Sequence, residues 1–183
     1  MARLILLNGS PGMGKSTLAR RYVADHPLAL CMDVDDVRRL LGRWQELPQE
    51  SGSLARRMAL AMAAEHLRGS HDVVVPQYLG RVPFIEELER LAAATGSTFS
   101  ELVLMDTREN ALTRFHARSA DPALASHHRD ALALTTGGDG ELREMYDRLV
   151  ALVARRPRAR VVPTSAGDPE AAYRAVLAEL GTP

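Results

Sequence analysis

Lys15 is the only lysine in a chain of 183 residues that carries 22 arginines, and it stands in the run Gly9-Ser10-Pro11-Gly12-Met13-Gly14-Lys15-Ser16-Thr17. The run satisfies the spacing G-x-x-x-x-G-K-[ST], whose chemistry is the binding of phosphate. Glycines let successive backbone N–H groups turn toward an anion, and the N-terminus of a following helix adds a favourable field. The lysine must reach round the loop to the β and γ phosphates as a compact point charge. Arginine's flat, longer fork fits that space poorly. A composition that otherwise favours arginine thus keeps lysine where geometry refuses the substitute. Ser16 is expected to place its hydroxyl on Mg²⁺, with Thr17 packing or capping beside it. The expected ligands are therefore ATP, along Gly9 to Thr17, and Mg²⁺.

A second chemical segment follows at Met32-Asp33-Val34-Asp35-Asp36-Val37-Arg38. With the loop, it resembles the small P-loop kinases: polynucleotide kinases, zeta-toxin-like kinases and chloramphenicol phosphotransferase-like enzymes. These carry an acid just after their second strand, in an Asp-Asp-x-Arg pattern in the polynucleotide kinases, matched here by Asp35-Asp36-Val37-Arg38. The resemblance covers most of the chain in layout. It implies a P-loop NTPase fold, a three-layer α/β/α sandwich on a five-stranded parallel sheet with a lid. It also implies that Asp35 is the catalytic base and Arg38 a substrate-binding residue. Phosphoryl transfer needs its attacking hydroxyl held in line and its proton accepted, which is work for a carboxylate. Asp33 is the rival base because it sits closer to the strand end, or it holds a magnesium-bound water. Aspartates in this position also cap helices.

Arg114 and Arg118, four apart, share a helix face before an irregular, lid-like segment at about 119–138. Kinases of this group look similar there, with arginines that neutralise charge during transfer, and Arg129 is a further candidate. Gln77 and Tyr78 leave the third predicted strand at the functional end of a sheet and are candidate substrate-binding residues, as is Trp44 in the loop after the acidic helix. Thr164-Ser165-Ala166-Gly167 follows the fifth predicted strand, where related kinases pass the adenine. His127 and His128 are adjacent, so on a helix they diverge, and no further ligand lies at metal-site spacing.

The elements that must position these groups alternate. Strands are expected at Arg3–Asn8, Leu28–Met32, Asp72–Pro76, Thr98–Met105 and Ala159–Val162, short apolar runs that suit a sheet buried on both faces. Helices are expected from Ser16 to Asp25, through Leu41, from Leu54 to Arg68 with Ser53 as N-cap, from Pro83 to Ala94, from Arg108 to Arg118, from Glu141 to Ala154 and from Pro169 to Leu180. Gly42 to Gly52 reads as a loop, and Asp106 as a cap for the helix that follows it. Alternation of this kind argues for one α/β domain with a parallel sheet. The third strand runs into Val75-Pro76-Gln77 with no aspartate, which weighs against a motor ATPase or GTP switch and for a small kinase.

Composition narrows the partners. The chain is 46% hydrophobic and 25% charged, with a formal net charge of zero, which is ordinary for a soluble domain and lacks the basic excess of a protein built to grip a long phosphate backbone. No apolar run approaches a membrane span, and the N-terminus does not read as a signal peptide. The single Cys31 reads as a small buried residue and agrees with a reducing cytoplasm. The expected function is ATP-dependent transfer of the γ-phosphate to a hydroxyl of a small-molecule acceptor. The alternatives are a kinase for 5′-hydroxyl nucleic-acid ends, a nucleoside or nucleotide kinase, and an ATP-binding regulator without transfer activity.

Overall fold

Four consecutive side chains of the first apolar run, Leu4 to Leu7, are at most 1% exposed. Burial of a leucine or isoleucine on this scale contributes roughly 1.5–3 kcal/mol each, which is why the run settles as an interior strand. The structure is a computed structural model and describes residues 1–119, 138–164 and 168–181. Its strands are β1 (Arg3–Gly9), β2 (Leu30–Cys31), β3 (Val73–Pro76), β4 (Thr98–Met105) and β5 (Arg160–Pro163). They form one five-stranded sheet in the order β2-β3-β1-β4-β5. The parallel pairings are in register from Leu4 opposite Val73 to Leu7 opposite Pro76, at Leu30 opposite Val73, and from Leu102 opposite Arg160 to Met105 opposite Pro163. The α/β fold expected of a P-loop protein is the one observed. The lid-like segment lies almost wholly outside the described residues.

The helices are α1 (Lys15–Asp25), α2 (Val34–Arg39), α3 (Pro48–Arg68), α4 (Val82–Ala94), α5 (Arg108–Ser119), α6 (Gly138–Val153) and α7 (Pro169–Leu180). The chain divides into two compact units. The first comprises Met1–Leu7, Ser16–Gln77 and Val82–Glu101, and the second Asn8–Lys15, Tyr78–Arg81 and Leu102–Pro183.

Three sequence expectations are corrected. α3 begins at Pro48, inside the expected loop and five residues before Ser53. Proline at the first helical position has its φ already set and no N–H to leave unsatisfied, a start signal that outweighs the serine. α3 then packs along the small buried residues Ala55, Ala59 and Ala63, four apart and so on one face. β2 keeps only two residues because Leu28 takes a left-handed φ of 61° and turns the chain outward before the ladder starts. Asp106 does not cap α5. Thr107 does, its hydroxyl accepting from the Asn110 N–H at 3.2 Å. Cys31 on β2 is half-buried, and burial, reinforced by Asp33, pushes its thiol up to about 11. That makes it an inert packing group at neutral pH.

Gly12 occupies one of the unspecified positions of the loop motif, yet its φ is +86° and an added Cβ would lie 3.0 Å from the Phe115 backbone nitrogen. Gly12→Ala is therefore expected to combine backbone strain with overpacking, costing about 1–3 kcal/mol. A thermal melt should show the midpoint lowered by on the order of 5 °C. An unchanged midpoint would mean that α5 yields to the loop.

Candidate active site

The loop belongs to the second unit, and its entry is pinned by Asn8, a residue with no exposed surface. Asn8 Oδ1 accepts from the N–H of Gly9 at 2.8 Å and of Leu79 at 2.9 Å, while Nδ2 donates to the Leu79 carbonyl at 2.9 Å. Asn8 is not among the residues whose types and spacing announce a site. Its signal was a lone amide in an otherwise apolar strand, since a buried amide must satisfy donors and acceptor together. An added Cβ on Gly9 would sit 2.9 Å from the Leu104 carbonyl oxygen, so the strand and loop meet too closely for a side chain. Met13 anchors the turn, buried at 3% exposure, with its N–H on the Ser10 carbonyl at 3.3 Å. The Lys15 ammonium lies over the loop, donating to the carbonyls of Gly9 at 2.7 Å and Ser10 at 3.0 Å. α1 starts at this residue, so its orphan N–H groups and dipole join the loop's own donors. Thr17 is exposed rather than packed.

The first unit brings Ser16, Asp33, Asp35 and Gln77 together. The Ser16 hydroxyl donates to Asp33 Oδ2 at 3.5 Å, the long limit of such a contact. Asp33 is the N-cap of α2, its Oδ1 accepting from the Asp35 N–H at 3.0 Å. Asp35 is met from the other side by Gln77, whose Nε2 donates to Oδ2 at 3.5 Å. Asp36 turns outward and pairs with Arg39. Of the three aspartates, then, the cap is Asp33, and Asp35 is the carboxylate left to β3's end. A hydroxyl beside a carboxylate offers the hard oxygen ligands that Mg²⁺ takes in ones and twos while keeping waters and phosphates for the rest. Among the described residues no cluster of three or more His, Cys, Asp or Glu forms a cage. Ser16 and Asp33 fit the ion's chemistry.

The Asp33 carboxyl is raised above the usual range, first by burial and then by repulsion from Asp35 and Asp36, against the cap hydrogen bond and Arg39. A raised acid binds its proton more tightly folded than unfolded, so the ionised group costs stability that is recovered as pH falls through the raised value. Asn caps a helix as well as Asp. Asp33→Asn is therefore expected to melt above the wild type at pH 7, with the difference shrinking as the pH is lowered into the acid range. Equal melting of the two proteins at all pH values would remove the strain assigned to Asp33.

The other candidates fall in definite places. Arg38 is 7% exposed. Its Nε donates to Ser51 Oγ at 2.9 Å, its Nη2 to the Pro48 carbonyl at 2.8 Å, and its guanidinium carbon lies 4.9 Å from the centre of the Trp44 ring. Ser51 closes this corner by donating to the Trp44 carbonyl at 2.9 Å. In the second unit, the Tyr78 hydroxyl donates to the Met145 carbonyl at 3.0 Å, and burial raises its phenol. Arg114 pairs with Asp106 and donates to the Thr164 carbonyl at 2.7 Å, while the Tyr146 hydroxyl donates to the Asp106 carbonyl at 2.8 Å. The Arg118 side chain, Arg129, His127, His128 and residues 165–167 lie outside the described residues.

A family model described as an AAA domain matches residues 4–136. No curated protein matches the chain. Among solved structures, it is similar to a gluconokinase from Sinorhizobium meliloti 1021, at 18% identity over 97% of this chain and 90% of that one, with a TM-score of 0.60. It is also similar to the Deinococcus radiodurans tunicamycin resistance protein, at 13% identity over 100% and 98%, TM-score 0.61. A chain of the Pnkp1/Rnl/Hen1 RNA repair complex matches at 16% identity over 84% of this chain and 46% of that one, TM-score 0.57. At these identities the likeness is one of fold.

Proposed function

This chain belongs to the AAA domain family, and from that premise we propose that it is an ATP-dependent phosphotransferase acting on a hydroxyl of a small molecule. The observation that carries the reading is the series of contacts running from Ser16, the residue after the loop lysine, through Asp33 to Asp35 and Gln77. It supplies an oxygen pair for a divalent ion and a separate carboxylate for a proton.

In the proposed reaction the loop from Gly9 to Ser16 holds the triphosphate, and the Lys15 ammonium offsets charge on its outer phosphates. Mg²⁺, when bound, neutralises phosphate charge, and Ser16 with Asp33 would hold it. Asp35 accepts the proton of the acceptor hydroxyl as that oxygen bonds to the γ-phosphorus. The bond from phosphorus to the β–γ bridging oxygen breaks, and ADP leaves with its electron pair. Arg114, and Arg118 beyond it on α5, are proposed to support the charge on the transferring group. Gln77, Tyr78 and Trp44 are proposed to border the acceptor. A zero net charge and the engagement of Arg38 within its own corner favour a small uncharged acceptor over a nucleic-acid end. Among the described residues no helix is long and apolar enough to cross a membrane, and we place the reaction in the cytoplasm, where ATP and reduced thiols are supplied.

Incubation with γ-labelled ATP, Mg²⁺ and a small-molecule extract should yield a labelled acceptor. Bound ATP with no labelled product from any mixture would leave a regulator instead. Efficient labelling of an oligonucleotide 5′ end, with affinity falling steeply in salt, would make it a polynucleotide kinase.

A further inference from the structure

Gln77 carries an unanswered carbonyl. Its backbone N–H is held by the Leu7 carbonyl at 3.1 Å, fixing the residue at the end of β3. Its side-chain nitrogen faces Asp35 Oδ2 at 3.5 Å. That contact sets the amide's orientation, because the reverse would oppose two oxygens. The other end, Oε1, is buried and has no hydrogen-bond partner among the described residues. A buried acceptor without a donor is costly to leave unmade and selective once filled. Gln77 as a residue is only half-buried, and its terminal torsion is soft, so small adjustments of the amide are open to it when a ligand binds.

Resting on the phosphotransferase reading, we propose that the acceptor is an uncharged polyol in which the carbon next to the reacting one carries a second hydroxyl that donates to Gln77 Oε1. The two ends of the amide share one carbon, so a hydroxyl on Oε1 and a hydroxyl on Asp35 suit neighbouring carbons of one ligand, whose oxygens are three bonds apart. The reacting hydroxyl gives its proton to Asp35, and the neighbouring hydroxyl keeps its own while donating to Gln77. Arg38 is withheld from this ligand. Its Nε and Nη2 hold Ser51 and Pro48, and its face lies on Trp44, so the cation that would read a phosphate or carboxylate on the acceptor serves the α2–α3 corner instead.

The test uses the full chain, γ-labelled ATP and a fixed panel: glycerol, ribitol and glucitol against propan-1-ol and pentan-1-ol, with a 5′-hydroxyl oligonucleotide as the charged comparator. The wild type should label the polyols at least about 10-fold faster, in kcat/KM, than the mono-alcohols. Gln77→Met, which keeps length but loses the acceptor, should collapse that ratio toward one while melting at or above the wild-type temperature, since it removes a buried unpaired oxygen. Mono-alcohols labelled as fast as polyols, or a ratio unmoved by Gln77→Met, would each overturn the inference and leave the phosphotransferase reading standing, whereas labelling of the oligonucleotide alone would overturn the inference and the small-molecule reading together. Transfer to no acceptor at all would overturn both.

Discussion

Lys15→Ala is expected to yield a folded protein whose ATP turnover has fallen by about 10³-fold, the scale on which removal of a preorganised charge acts. The side chain is half-buried, and its ammonium is held by two carbonyls of its own loop at 2.7 and 3.0 Å. The loop is also fixed by Asn8, Met13 and the approach of Gly12 to α5, so its shape does not depend on the ammonium. Lys15→Arg should fare little better. The guanidinium is planar and longer, and a loop whose two carbonyls hold a compact ammonium seats it poorly. A melt within a few degrees of wild type, with turnover lost in both variants, is the expected pairing. Substantial turnover by Lys15→Arg would mean that the lone lysine is an accident of composition.

The second large effect separates the aspartates. Asp35→Asn should lower transfer by about 10²–10⁴-fold, the range for loss of a general base, while ATP binding stays near wild type because the residue takes no part in the loop. Asp33→Asn keeps the helix cap but weakens the oxygen pair with Ser16, so its transfer should recover in part as Mg²⁺ is raised. Magnesium titrations of both variants distinguish the roles. Recovery of Asp35→Asn with added metal, or a loss in Asp33→Asn that metal does not touch, would exchange the two assignments.

Much of the architecture was legible because it rests on local chemistry. β4 and α7 fall on the expected residues, Thr98–Met105 and Pro169–Leu180. The first ends in the apolar run Leu102 to Met105, and the second has Asp168 capping its start and Gly181 turning left-handed at its end. Where two local signals competed, the reading failed. Ser53 and Pro48 both mark helix starts, and proline at the first position is the harder constraint, so α3 starts there. Leu28 carries a strand-like side chain, but its backbone turns at φ 61°, a conformation that no apolar pattern announces.

What the linear order of residues determined for this protein is its phosphate-binding loop, its buried central strands β1 and β3 and the acid-rich start of α2. Each is written in neighbours a few positions apart, where dihedral preference and hydrophobic run length act directly. Tertiary structure alone decided how the polar groups were allotted. Asn8 joins Leu79 from 71 positions away, Gln77 faces Asp35 across 42, and Arg114 reaches Thr164 across 50. Arg38 was drawn onto Ser51, Pro48 and Trp44 because a buried guanidinium must find acceptors wherever the fold puts them. A hydrogen bond is short and directional, so which partner a polar side chain takes is set only when the chain has closed around it.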